Sequence, residues 1–257
     1  MKKKWNKVTA AFLMLVMVVT TVLGAAPALS VKAEPVTMGH LKSGSGNANG
    51  HFGSDKPEAF VLSEKADYTD QAYSLKLRIN SDVDKTRLRI VTKYKDDNNW
   101  AFLVYDVGSW KWQYKKDGNE AWQDDTLALP RLEKGQLAEI KLSYKDNGLE
   151  VDVNGTKATV TEANFVALKD VQGKVGVGGA TFGDAYTDVY FNDVVVGETK
   201  EDLNTWKLYK DNLAGQEWDP AAQYEETVPA GRKWITIRTG SQNGGGHSYA
   251  GATGPAL

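Results

Sequence analysis

Residues 73–79 read Tyr-Ser-Leu-Lys-Leu-Arg-Ile, so Tyr73, Leu75, Leu77 and Ile79 fall on one side of an extended chain and polar side chains fall on the other. A period of two is that of a β-strand with one buried face, and a helix would scatter these residues around its axis. The same period returns in Leu88–Tyr94, Trp110–Tyr114, Ala138–Tyr144, Leu149–Val153, Thr156–Val160, Lys174–Thr181 and Thr187–Val196. Turn residues separate these runs, at 95–99, at Asp146-Asn147-Gly148 and at Asn154-Gly155. Trp100–Tyr105 is nearly all apolar. Short strands at this spacing from Ala59 to Gly197 predict an all-β sandwich of two antiparallel sheets. Only Thr161–Leu168 and Glu201–Leu208 have room for a helical turn or two.

Glu150 and Asp152 lie two apart on one of these strands, the spacing at which a sandwich glycosidase sets an acid and a nucleophile on one sheet face. Such a strand would carry a further carboxylate at 154, where the chain has Asn154 followed by Gly155. Asn-Gly between alternating runs is a strong hairpin signal, because both residues accept φ > 0. The acids therefore decorate the solvent side of a hairpin. A small hydrolase would need two carboxyls roughly 5–9 Å apart in a cleft, and this pair is the one candidate for it.

The first 33 residues read as a secretory signal peptide: a basic start (Lys2, Lys3, Lys4, Lys7), an apolar run from Val8 to Leu23, and small residues at Val31 and Ala33. An uncleaved anchor is the alternative, but the apolar run is short for a bilayer span of ~20 residues. The protein is expected to be secreted or at the cell surface, without stable membrane insertion after cleavage. The full chain of 257 residues carries −2, and the leader holds five lysines and no acid, which leaves −7 on the rest. An acidic chain without a basic cluster is a poor partner for nucleic acid. Cysteine is absent, so stability must come from the core, and thiol chemistry and thiolate metal sites are excluded. Residues 34–57 read as a flexible Gly/Ser-rich lead, 58–198 as the sandwich and 199–257 as a linker with the start of a further module. A monomer is expected.

Seven Trp and Tyr residues fall between 94 and 122: Tyr94, Trp100, Tyr105, Trp110, Trp112, Tyr114 and Trp122. One reading is a sugar-binding surface, in which a ring covers the C–H face of a pyranose while amides and acids take its hydroxyls. Trp100 with Asp97 and Asn98, Trp110 with Asp106, and Trp122 are the residues placed near strand ends for this. The other reading is core, since Trp110, Trp112 and Tyr114 share a face, opposite Lys111, Gln113 and Lys115. The run Asp96-Asp97-Asn98-Asn99 gathers four oxygen-bearing side chains, which suits a structural Ca²⁺ and equally suits an ordinary acidic turn. No other cofactor is required. His40, His51 and His247 are far apart and have no metal-ligand spacing.

The stretches "TRLRIVTKYKDDNNWAFLVYDVGSWKWQYKKDGNEAW" (86–122), "LPRLEKGQLAEIKLSYKDNGLEVDVNGTKATV" (129–160) and "GKVGVGGATFGDAYTDVYFNDVVVGE" (173–198) resemble the N-terminal sandwich of secreted bacterial endo-α-N-acetylgalactosaminidases. These enzymes release Gal-β1,3-GalNAc from Ser/Thr of mucin-type glycoproteins. The resemblance implies a concanavalin/laminin-G-type jelly roll, a weak mucin-type glycan partner, and Asp193 as a further Ca²⁺ ligand in the last strand. The family's catalytic residues lie in a (β/α)₈ barrel, a fold of ~250 residues that nothing here encodes. The chain is therefore expected to be a fragment with an accessory role, with no catalytic residue carried over. A purely structural spacer is the alternative.

Overall fold

The computed structural model describes residues 35–43, 52, 58–122, 126–180, 186–209 and 216–224, together with the backbone of short strands nearer the termini. The expected leader, apart from Ser30–Lys32, lies outside the described residues, as do His51 and His247. The chain divides into two units, 37–224 and the two termini (1–36 with 225–257). In the terminal unit β1 (Ser30–Lys32) pairs with Thr227–Pro229, and two further short hairpins follow. Among the described residues no helix is long and apolar enough to cross a membrane.

The larger unit is the expected antiparallel β-sandwich. Sheet one runs in the spatial order β11 (Thr156–Val160), β10 (Gly148–Val153), β9 (Ala138–Lys145), β4 (Tyr73–Ile79), β13 (Asp188–Val196), β2 (Val36–Lys42) and β16 (Glu217–Tyr224), with β14 (Thr199–Lys200) also on β13. Sheet two runs β15 (Lys207–Leu208), β3 (Glu58–Leu62), β12 (Lys174–Ala180), β5 (Arg87–Asp96), β6 (Asn99–Asp106), β7 (Ser109–Lys116) and β8 (Asn119–Trp122). The sandwich is thus wider than 58–198. Residues read as a lead supply β2, and residues read as a linker supply β15 and β16. The helical allowance at 161–168 becomes α1 (Ala163–Ala167), whose N-cap Glu162 accepts from the Asn164 amide.

The core between the sheets is built by the alternation. Tyr73, Leu75, Leu77 and Ile79 of β4 face Leu88, Ile90, Leu103 and Tyr105 of sheet two. A second apolar cluster lies on the other side of sheet two: Phe60, Leu62, Val91, Trp100, Phe102 and Val104, closed by Phe52 with Tyr94 and Tyr209. Trp100 and Phe102 stack at 4.4 Å, and Phe52 packs 4.1 Å from Phe60. Gly178 of β12 makes room for this layer, since a Cβ there would meet the Phe60 ring at 2.2 Å. Sheet two is therefore dry on both faces over its middle strands.

Three two-residue hairpins have both residues at positive φ: Val107-Gly108, Asp117-Gly118 and Asn154-Gly155. The predicted Asn154-Gly155 turn is confirmed, with φ of 52° and 87°. Val107 at φ 42° is the exception by residue type, because a β-branched side chain is crowded there.

Candidate glycan-binding surface

Most of the aromatic residues placed at a sugar-binding rim are core. Trp100 has no exposure, and Trp110 has 1%. The reason is local. Trp100 pairs across to Tyr94 on the outer face of sheet two, where Phe52 covers it. Trp110 faces between the sheets, with Tyr105 edge-on at 5.2 Å and its indole N–H donating to the Pro130 carbonyl at 2.8 Å. Neither indole has a face left for a pyranose, so both assignments are corrected.

Their polar companions are also engaged. Asp97 Oδ1 accepts the hydroxyls of Tyr94, at 3.1 Å, and Tyr209, tying the β5–β6 turn to the second cluster. Asp96 Oδ1 accepts the Asn98 amide at 2.9 Å and the Asn99 side-chain amide at 3.1 Å. That is the ordinary behaviour of Asp in a turn. Asp106 sits between Arg87 at 3.2 Å and Lys111 at 3.7 Å.

Asp193 is in the other sheet, at a β-bulge between Asn192 and Val195, with φ 47°. The extra residue turns its carboxylate outward, where one oxygen takes Lys76 and the other Lys200, each at 3.0 Å. These two lysines hold its carboxyl below the usual carboxylate range. Asp96, Asp97 and Asp193 thus form no common cation site, and among the described residues no three His, Cys, Asp or Glu side chains gather for one. Glu150 pairs with Lys157 at 3.0 Å, and Asp152 accepts the Gly155 amide at 2.7 Å, which closes the hairpin. Asp152 thus serves the turn, and Glu150 an ion pair between its two strands.

Trp122 is different. It ends β8, the outer strand of sheet two, and is 42% exposed. Register places it beside Gln113, and Gln113 beside Phe102, so the three form one row on the outer face. The next row runs Trp100, Lys115, Glu120. The apolar cover thus gives way, from β7 outward, to a strip of Lys111, Gln113, Lys115 and Glu120 with an indole at its edge. Gln113 was expected on a solvent face, yet it is fully buried. Its amide N–H donates to Glu120 at 2.6 Å, and its amide oxygen has no partner among the described residues. A buried acceptor without a donor is costly. What reaches solvent at this edge is therefore the Trp122 ring and the Glu120 carboxylate, with the Gln113 amide buried beneath them.

The outer face of sheet one holds a second group that sequence reading passed over. The His40 ring stacks flat on Tyr190, at 4.2 Å and 6° between planes. His40 Nε2 meets Asp188 Oδ1 at 2.9 Å, and the other Asp188 oxygen accepts from Asn80 at 3.0 Å. The alternation of β13 carried the signal, since Tyr190 falls on its outward side with Phe191 inward. A shallow cleft of about 250 Å³ lies toward the other end of β4 and β13, lined by Ser74, Lys76, Glu139, Asp193 and Lys200 among others.

Three solved structures are similar to part of this chain. A carbohydrate-binding module from Bacillus subtilis (CBM66) matches at 12% identity and a TM-score of 0.40, over 66% of this chain and 99% of its own. A toad ovary galectin in complex with thio-digalactose matches at 10% identity and a TM-score of 0.35, over 52% and 98%. A structure from the endo-acting O-glycanases of human gut microbiota that initiate mucin breakdown matches at 8% identity and a TM-score of 0.43, over 63% and 79%. No curated protein matches the chain in sequence. The family model for the endo-α-N-acetylgalactosaminidase N-terminal domain, an accessory domain, matches residues 28–193, which takes in sheet two up to β12 and all of sheet one but β14, β16 and the end of β13. By that match the chain belongs to the endo-α-N-acetylgalactosaminidase N-terminal domain family.

Proposed function

We propose that this chain is a non-catalytic glycan-binding module that works beside an endo-α-N-acetylgalactosaminidase on mucin-type O-glycans outside the cell. The observation that carries the binding role is Trp122, an exposed indole at a sheet edge beside the exposed carboxylate of Glu120. Membership of the endo-α-N-acetylgalactosaminidase N-terminal domain family supports a role beside a carbohydrate-active enzyme. The non-catalytic role is supported by Glu150 and Asp152, which are committed to Lys157 and to the turn amide.

One ring stacked on one sugar buries little area, and ordering the ligand offsets part of the gain, so Kd should be about 0.1–1 mM. Calorimetry or NMR titration with galactose, N-acetylgalactosamine and the core-1 disaccharide tests this. Saturable binding that Trp122→Ala abolishes, with the circular dichroism spectrum unchanged, is the expected result. An unresponsive protein at about 10 mM of each sugar would reject the binding role and leave a spacer. Release of the disaccharide from a chromogenic core-1 substrate, lost in Glu150→Gln, would reject the non-catalytic role.

A further inference from the structure

The cleft on the outer face of sheet one takes no part in the arrangement around Trp122. We propose that it is a second glycan site, for one neutral sugar ring bearing vicinal hydroxyls. The inference stands on the lining of the cleft and not on Trp122, so each can fail alone.

The first ground is how the chain builds the cleft. Four non-glycine residues among those described have positive φ, and Asp193 alone of them lies inside a strand. It sits in a β-bulge opposite Leu75, where left-handed backbone ordinarily calls for glycine. Backbone strain held inside a strand points to a task for the side chain that causes it. By register Glu139, Lys76 and Asn192 form one row across the sheet, and Ser74, Val195 and Lys200 form the next. The Asp193 carboxylate joins the two rows, one oxygen taking Lys76 and the other Lys200, each at 3.0 Å.

The second ground is the chemistry of the lining. Lys76 and Lys200 balance Asp193 and Glu139, so the cleft has no net charge, and an ion of either sign would meet its own charge there. Each ammonium has three donors and gives one of them to Asp193. Glu139 pairs with Lys141 through one oxygen, at 2.9 Å, and keeps the other. Ser74 Oγ has no partner among the described residues. A sugar hydroxyl donates and accepts at once, so two neighbouring hydroxyls can take an ammonium and a carboxylate together. The half-buried Val195 offers the ring an apolar patch. At about 250 Å³ the cleft is smaller than the ~300–1,000 Å³ of sites for drug-sized ligands, which limits it to a single ring.

The test is an amide NMR titration of the full chain with galactose, repeated with N-acetylneuraminic acid as an anionic probe. Galactose should shift residues 74–76 and 193–200 saturably, in a set separate from any in β7–β8. That set should survive Trp122→Ala and weaken at least fivefold in Lys76→Ala and in Lys200→Ala. Asp193→Gly suits the bulge, so it should keep the fold by circular dichroism and still abolish the set. Movement in β7–β8 with the cleft silent would overturn this inference and keep the proposed function. Movement in the cleft alone would keep this inference and remove Trp122 from the binding role. A response to N-acetylneuraminic acid and none to galactose would overturn the neutral ligand, and cleft shifts that Asp193→Gly leaves intact would overturn the site. Silence in both regions would overturn both readings. If a variant fails to fold, the shift map of the unmodified chain still decides.

Discussion

Trp100 and Lys76 hold similar positions, each on the outer side of an interior strand of its sheet. Yet the indole has no exposure and the lysine side chain is 39% exposed. Sheet one keeps one wet face, on which lysines and acids pair. Sheet two is covered by Phe52 and Tyr209 and has a second core there. An aromatic residue is therefore no guide to a binding surface until the cover of its sheet is known. The indole that qualifies, Trp122, lies where that cover ends.

The largest expected effect breaks the contrast directly. Trp100→Ala should destabilise the fold by about 3–5 kcal/mol, the range for truncating a large buried aromatic. Lys76→Ala, on the wet face, should leave the denaturant midpoint almost unchanged. Equal losses from the two variants would mean that sheet two is not covered as described.

The next effect concerns charge. Lys93 of sheet two is fully buried, with its amine donating to the Tyr68 carbonyl at 2.5 Å and the Thr69 carbonyl at 2.7 Å. Burial lowers its pKa to about 8, against an opposing pull from Asp70 and Asp170. Because the folded value lies below that of the unfolded chain, the unfolded state binds more protons between pH 8 and about 10. Stability should therefore rise with pH through that window, with a total of order 3 kcal/mol available. Lys93→Met should flatten the slope. It should gain less than that total at pH 7, because two carbonyls lose their donor. The buried phenols of Tyr73 and Tyr94, pushed far up by desolvation, act in the opposite sense only at higher pH. A slope that survives Lys93→Met would assign the effect to other groups.

Hairpins sharpen the comparison further. Gly155→Val in sheet one should cost about 1 kcal/mol or more from backbone strain at φ 87°, since nothing lies within 4 Å of its Cβ position. Val107→Asn in sheet two should stabilise by up to about 1 kcal/mol, because Asn tolerates the left-handed conformation that Val107 is forced into. Opposite signs in a chemical denaturation pair would confirm that both turns are of one type.

What could be read in advance follows from the same contrast. The strands of sheet one were legible because one face meets water and alternation marks the other, as in Tyr73–Ile79. The Asn154-Gly155 turn was legible from its chemistry. Sheet two was harder. Trp100–Tyr105 is apolar throughout because both its faces are buried, so period two vanished and exposure could not be inferred. The strands at 36–42 and 217–224 were missed because glycine-rich and polar flanks hid short runs. The site was least legible. Trp122 was named among several rings, while His40 and Tyr190, 150 positions apart in sequence, meet only through the pairing of β2 with β13.

The smallest effect tests the acids that first suggested chemistry. Glu150 and Lys157 pair diagonally across β10 and β11 on the outer side of sheet one, with side chains 29% and 57% exposed. Water solvates both partners before and after folding, and ordering two flexible side chains offsets the attraction. Salt screens what remains. Glu150→Gln should therefore leave the unfolding midpoint unchanged within error, at low salt and at about 0.5 M. It should also leave glycan binding intact, because Trp122 does not depend on this pair. Asp152→Asn is the sharper control, since Asp152 accepts the Gly155 amide and its loss should register as a small drop in stability. A clear loss of binding in Glu150→Gln would place the ligand on the β10–β11 hairpin instead, and would reverse the conclusion that these acids serve only the hairpin.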